Sequence, residues 1–279
     1  MKKIEYFVKF KEPTPIEDIK TLIEGRDFSN FMSDRDKRVV NQEWARLKTE
    51  NPRVFSGKFG CLYDSQNGIF RFMPTKFKDY VTISKTFEHQ SLSKKLYHNM
   101  RIGAVGAFLE LKNGEIFVHR RSQKATHCAG FLDSSCAGLI QVEDGMMNLE
   151  NSLMIKVNRE LGINKSEVEI LGVTGVHSSY EPDFSCMFDI ALKTNLDKKE
   201  FEKRINPDNF SEYYFIPKRQ IARYVLEHFV QKADMNGDGA ATLLGALKSD
   251  DFYNAVDRIN KSSKKIEFGK LCSGRFKSS

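Results

Sequence analysis

The chain has 279 residues, of which 40% are hydrophobic and 29% charged, and a formal net charge of +7. That balance belongs to a soluble globular protein with a sizeable core. It contains no apolar run near the ~18 residues that cross a bilayer. The opening MKKIEYFVKF is broken by Glu5 and Lys9 and is not read as a secretory leader. Five cysteines, at 61, 128, 136, 186 and 272, are odd in number and lack CxxC spacing. They read as reduced thiols, which implies a cytoplasmic protein.

The charge is uneven. Residues 1–100 carry 19 basic against 13 acidic side chains, residues 101–259 carry 19 against 23, and the last twenty carry 6 against 1. Basic flanks of this kind can steer anionic ligands or contact nucleic acid, although a solvated lysine-rich surface is the simpler explanation. The chain has neither an aromatic-interleaved RNA-binding signature nor a helix-turn-helix pattern, so nucleic acid is the weaker candidate partner.

In chain order, the first expected element is a strand over Ile4–Phe10. Pro13 and Pro15 then precede a short helix ending near Gly25. Residues 34–50 place Val39, Val40, Trp44 and Leu47 near helical spacing, and Asn51-Pro52 stops that helix. Residues 58–64 and 68–74 read as a hairpin around Asn67-Gly68, and residues 102–120 as a second around Asn113-Gly114. A helix follows over Leu149–Leu161, then strands near Val168–Val176 and Phe184–Lys193. Helical segments are expected over 198–206, 218–232 and 240–260. Residues 1–100 are expected to form a small α+β subdomain, 101–260 the main domain, and 261–279 a basic, loosely ordered tail.

The most informative stretch is Gly138–Ile163, GLIQVEDGMMNLENSLMIKVNRELGI. A glycine, an acidic turn and a helix ending in Arg-Glu-Leu-Gly-Ile resemble the Nudix box, G-x5-E-x7-R-E-U-x-E-E-x-G-U. Val157, Glu160, Gly162 and Ile163 fall at its closing U, E, G and U positions. Lys156 and Arg159 stand where two metal-binding glutamates belong, and Ile155 replaces the arginine. Upstream, EWARLKTENPRVFSGKFG, TKFKDYVTIS, IGAVGAFLE and HRRSQKATHCAGFLDSSCAG occur in an order similar to the uridine diphosphate-glucose pyrophosphatase branch of that superfamily. The resemblance covers roughly residues 34–192. It implies an α/β fold, an α/β/α sandwich with a mixed sheet, preceded by the small N-terminal subdomain.

Diphosphate cleavage needs an activated water and cancellation of phosphate charge, which carboxylates holding Mg²⁺ supply. Positions 156, 159 and 160 share one helix face. Three glutamates there would carry −3, whereas Lys156, Arg159 and Glu160 carry +1. Glu160 is the candidate catalytic and metal-binding carboxylate, with Glu143 and Asp144 as further metal ligands and Glu181 as a base. Lys156, Arg159, Arg120, Arg121 and Gly138 are candidate substrate-binding residues. Strand alternation allows one of the two adjacent arginines to face a ligand.

Tyr180 and Asp183 flank the acidic loop around Glu181. His127, Cys128 and Cys136 match no common zinc spacing. Asp234–Gly239 resembles the start of a calcium loop, but Gly245 occupies the twelfth position and a helix-entry turn explains the segment better. Two functions follow from these residues. One is hydrolysis of a nucleoside diphosphate linked to another group, such as a UDP-sugar or an ADP-ribose-like molecule, by Mg²⁺-activated water. The other is a catalytically impaired module that binds or senses a nucleotide.

Overall fold

The computed structural model describes residues 3–268, apart from 53, 55, 67, 87–90, 124, 126–127, 180–184 and 263. Strand β1 (Lys3–Thr14) is longer than expected and buries Ile4 and Tyr6. The helix expected before Gly25 is instead a single 3-10 turn leading into strand β2 (Lys20–Ile23), whose residues alternate in exposure. Helix α1 (Asp34–Glu50) spans the expected residues. Ser33 and Asp36 form its capping box, and Asn51 closes it.

Strands β3 (Lys58–Gln66) and β4 (Ile69–Lys76) make the first hairpin, followed by helices α2 (Phe77–Thr86) and α3 (Lys94–Asn99). Strands β5 (Ile102–Glu110) and β6 (Glu115–Arg121) make the second. Four short strands follow: β7 (Leu132–Asp133), β8 (Cys136–Leu139), β9 (Val142–Glu143) and β10 (Met146–Met147). They lead to α4 (Leu149–Lys156), which is capped by Asn148 and continues as a π-type turn over Val157–Leu161. Gly162 ends it in the left-handed conformation at φ 65°.

Strands β11 (Val168–Ser179) and β12 (Ser185–Thr194) pair antiparallel, and α5 (Lys198–Glu202) is shorter than expected. Strand β13 (Phe210–Pro217) was not anticipated. Helix α6 (Ile221–Val225) runs on through a π-type turn to Gln231. The helix expected over 240–260 is two helices, α7 (Gly237–Leu244) and α8 (Ser249–Asn260). Within the expected loose tail, strand β14 (Lys265–Phe268) pairs parallel with β1.

The expected α/β sandwich with a mixed sheet is present. Its main strand order is β14-β1-β11-β12-β5-β3-β4-β2, with β6 carrying β13 and β7, and β8 added to β5. Nearly every residue of β12 is buried because both faces are covered. Phe188, Ile190 and Leu192 pack with Leu153, Val157 and Leu161 of the α4 segment. On the other face, Ala191 and Phe108 pack with α6, α7 and α8 through Val225, Leu243 and Phe252. A third cluster joins Val40, Leu47, Tyr80 and Leu96 of α1–α3 to Phe59 and Cys61 of β3. Residue 100 falls between α3 and β5, and the sheet runs across it, since Cys61 pairs with Ile102. No helix among the described residues is long and apolar enough to cross a membrane.

Candidate functional site

One edge of β5 changes partner along its length. It meets β3 at Ile102, β8 over Ala104–Ala107 and β6 at Leu109–Glu110. Its other edge stays paired with β12 throughout. Where partners change, the sheet opens into a cleft of about 860 Å³. Its walls come from β8 and α4, from the end of β7 and the start of α7, and from α1, β3 and α2.

Lys156 lines this cleft. Its aliphatic stem crosses Gly138 so closely that a Cβ there would lie 2.0 Å from the lysine Cε. Only a glycine leaves room for that path. The Lys156 side chain is one-fifth exposed, with Nζ 3.7 Å from Glu160 Oε1, and Arg159 donates to the same oxygen at 2.8 Å. The like-charged face therefore turns inward at Lys156 and outward at Arg159, which is 61% exposed. Burial lowers the pKa of Lys156. Glu160 opposes the shift, and Arg159 and Arg121 add to it. Arg159 and Arg121 are thus both close enough to act on Lys156.

Arg121 reaches the cleft from the end of β6 and donates to the buried Asp133 at 2.8 Å. Burial works against the Asp133 carboxylate, but Arg121, His119 and the Ser134 N–H more than offset it and hold its pKa below the ordinary value. Arg120 points elsewhere, donating to Glu212 at 3.0 Å, Asp234 at 2.9 Å and the Gly130 carbonyl at 2.8 Å. His119, two residues before Arg121, is buried, and burial pushes its pKa down to about 4.

Glu143 lines the cleft from β9. Asp144 and Gly145, both at positive φ, form the two-residue turn to β10, where turn geometry accounts for an Asp-Gly pair. Glu181, Tyr180 and Asp183 lie outside the described residues, as does His127. Among the described residues, no group of three or more His, Cys, Asp or Glu side chains is arranged to hold a metal ion. Among the described residues, Glu160 is engaged by two cations and Asp133 by a third, so these two carboxylates are not free to hold Mg²⁺.

The remaining lining residues were not identified from sequence. Phe59, Phe77 and Tyr80 form an aromatic wall, with ring centroids 5.9 Å and 6.2 Å apart in succession. Asp238, Asn236 and Ser185 form another polar edge. Asn236 caps α7 by accepting from the Gly239 N–H, so Asp234–Gly239 is a helix entry. Asp133 stood inside a quoted motif and Asp238 inside the dismissed calcium-like one, but only the fold brings them to a common cavity.

No family model matches the sequence, and no curated protein does. Among solved structures, the chain is similar to the MutT protein from Methanosarcina mazei Go1, at 19% identity over 58% of this chain and 96% of that one, with a TM-score of 0.36. The Nudix domain of Shewanella oneidensis NrtR complexed with ADP-ribose gives 15% identity over 52% and 86%, with a TM-score of 0.35. A C. elegans Ap4A hydrolase binary complex gives 13% over 51% and 93%, with a TM-score of 0.32.

Proposed function

We propose that this protein is a Nudix-like module that binds the diphosphate of a nucleotide-type ligand directly through side-chain cations. The carrying observation is Lys156, seated over Gly138 inside the cleft with Arg121 and Arg159 close enough to depress its pKa. A diphosphate would relieve that repulsion. Arginine supplies a forked donor set suited to phosphate oxygens, and lysine a compact charge. The aromatic wall of Phe59, Phe77 and Tyr80 supports a planar group on the same ligand. Because an anion favours the protonated amine, binding takes up protons at alkaline pH.

Hydrolysis is the second reading, supported by the carboxylates of Glu143 and Asp238, which line the same cleft. One set of measurements separates the two. Titration calorimetry with inorganic pyrophosphate, ADP-ribose and UDP-glucose, with and without EDTA, should show binding that ignores the chelator. Lys156→Gln should weaken it about 10-fold or more. Mg²⁺-dependent product in phosphorus NMR, lost in Glu160→Gln, would overturn the binding module and establish the hydrolase.

A further inference from the structure

The Asp238 edge of the cleft has a construction of its own. Asp238 sits in the first turn of α7, and its side chain is 12% exposed. Two interior groups fix it from behind. His177 Nε2 donates to Oδ1 at 3.2 Å, and Ser185 Oγ donates to Oδ2 at 2.9 Å. His177 is fully buried, and its Nδ1 donates to Asp189 Oδ2 at 3.0 Å. Thr242 in turn donates to the other oxygen of Asp189 at 2.6 Å. The carboxylate is therefore locked in one orientation at the cavity surface by residues of β11, β12 and α7.

The helix does not need Asp238 as a cap, because Asn236 already accepts from the Gly239 N–H. A carboxylate accepts about four hydrogen bonds, of which His177 and Ser185 supply two. It has the opposite sign to Lys156 and Arg159, so it repels phosphate and attracts hydrogen-bond donors. Ala104 and Met187 line the same cleft and add apolar surface suited to the face of a ring.

We propose that Asp238 determines specificity by accepting hydrogen bonds from sugar hydroxyls on the part of the ligand beyond the diphosphate. Neutral hydroxyls suit this position because they satisfy the carboxylate without a second buried charge to desolvate. The opposed signs of the two cleft regions then fix which way round the ligand lies. This inference rests on the diphosphate reading of the Lys156 region.

The test is titration calorimetry on the full chain with inorganic pyrophosphate, ADP and 2′,3′-dideoxyadenosine diphosphate, for wild type, Asp238→Asn and Ser185→Ala. Wild type should bind ADP more tightly than its dideoxy analogue, by about 10- to 100-fold. Asp238→Asn should remove most of that ratio, and Ser185→Ala should reduce it in the same direction. If Asp238→Asn does not fold, wild type with the two nucleotides still decides, and equal affinities overturn the proposal. Pyrophosphate binding with no hydroxyl preference would refute Asp238 alone and leave the diphosphate reading standing. Absence of pyrophosphate binding would refute both.

Discussion

Raising the pH should destabilise this protein through His177, by an amount that the buried network sets. Burial alone lowers the imidazole pKa, but Asp189 on one side and Asp238 on the other more than offset it and hold it up to about 10. The Tyr6 ring also packs against His177, with centroids 5.5 Å apart. In the unfolded chain a histidine titrates near ~6.5. The contribution is therefore fully present below the unfolded value and is lost as pH rises through the folded one. The slope approaches about 1.4 kcal/mol per pH unit. From pH 7 to 9 the loss is roughly 3 kcal/mol, a large share of the ~5–15 kcal/mol that holds an ordinary domain together.

Urea unfolding of wild type and His177→Gln at each pH isolates the His177–Asp189–Asp238 network, because titrating groups that do not touch it cancel in the difference. Lys156 is one of these, and its shift has the opposite sign: its lowered pKa makes stability rise with pH above the folded value. The variant should be clearly less stable at pH 6, and the gap should close by about that 3 kcal/mol by pH 9. A gap that stays constant across this range would refute the reasoning. An imidazole found by NMR to titrate near its unfolded value would do the same.

Three further outcomes follow from the packing and charge described. The double variant Lys156→Glu with Arg159→Glu places three carboxylates on one helix face, so Mg²⁺ should raise its Tm while leaving wild type unmoved; identical Tm values for the double variant in Mg²⁺ and EDTA would contradict this. Leu153→Ala empties a fully buried position beneath the sheet and should cost about 2–5 kcal/mol in urea unfolding. A cost under about 1 kcal/mol would mean that α4 is not packed as described. Gly162→Ala forces a side chain at φ 65° and sets its Cβ 2.2 Å from the Arg204 carbonyl oxygen, so unfolding should show a loss of at least about 1 kcal/mol, and an unchanged midpoint would rule out that helix end.

Much of the fold was legible because local signals agreed with the tertiary outcome. The apolar face of residues 34–50 and the stop at Asn51 gave α1, and the paired strand patterns around Gly68 and Asn113-Gly114 gave both hairpins. Errors arose where local reading had no way to register packing. Residues 20–23 form a strand because Leu22 and Ile23 pair with Arg71 and Phe72 of β4. The chain between Gly245 and Lys248 breaks what looked like one helix. Strand β13 did carry a local signal, the aromatic and branched run Tyr213–Ile216, which its pairing with β6 explains.

The site was legible in part. Lys156, Arg159 and Glu160 share one helical segment, so helical spacing alone brought them together. Asp133, Asp238 and the Phe59–Tyr80 wall come from segments far apart in sequence, and no periodicity links them. His177 and Asp189 face each other only because β11 and β12 pair with His177 opposite Met187. The inward path of Lys156 also depended on a glycine on a neighbouring strand, a relation that spacing along one helix cannot register.

The placement of β1 has a consequence for how the molecule is made. Its neighbours in the sheet are β11 and β14, so residues near Ile4 wait for partners near Ser179 and Ile266. During synthesis this early strand emerges with neither edge covered, while the strands that will cover it are still untranslated. Contacts of such long sequence separation slow folding and lengthen the life of an open strand edge. Pairing of β1 is therefore a late event, and growing chains are exposed to mispairing through β1 until β11 arrives.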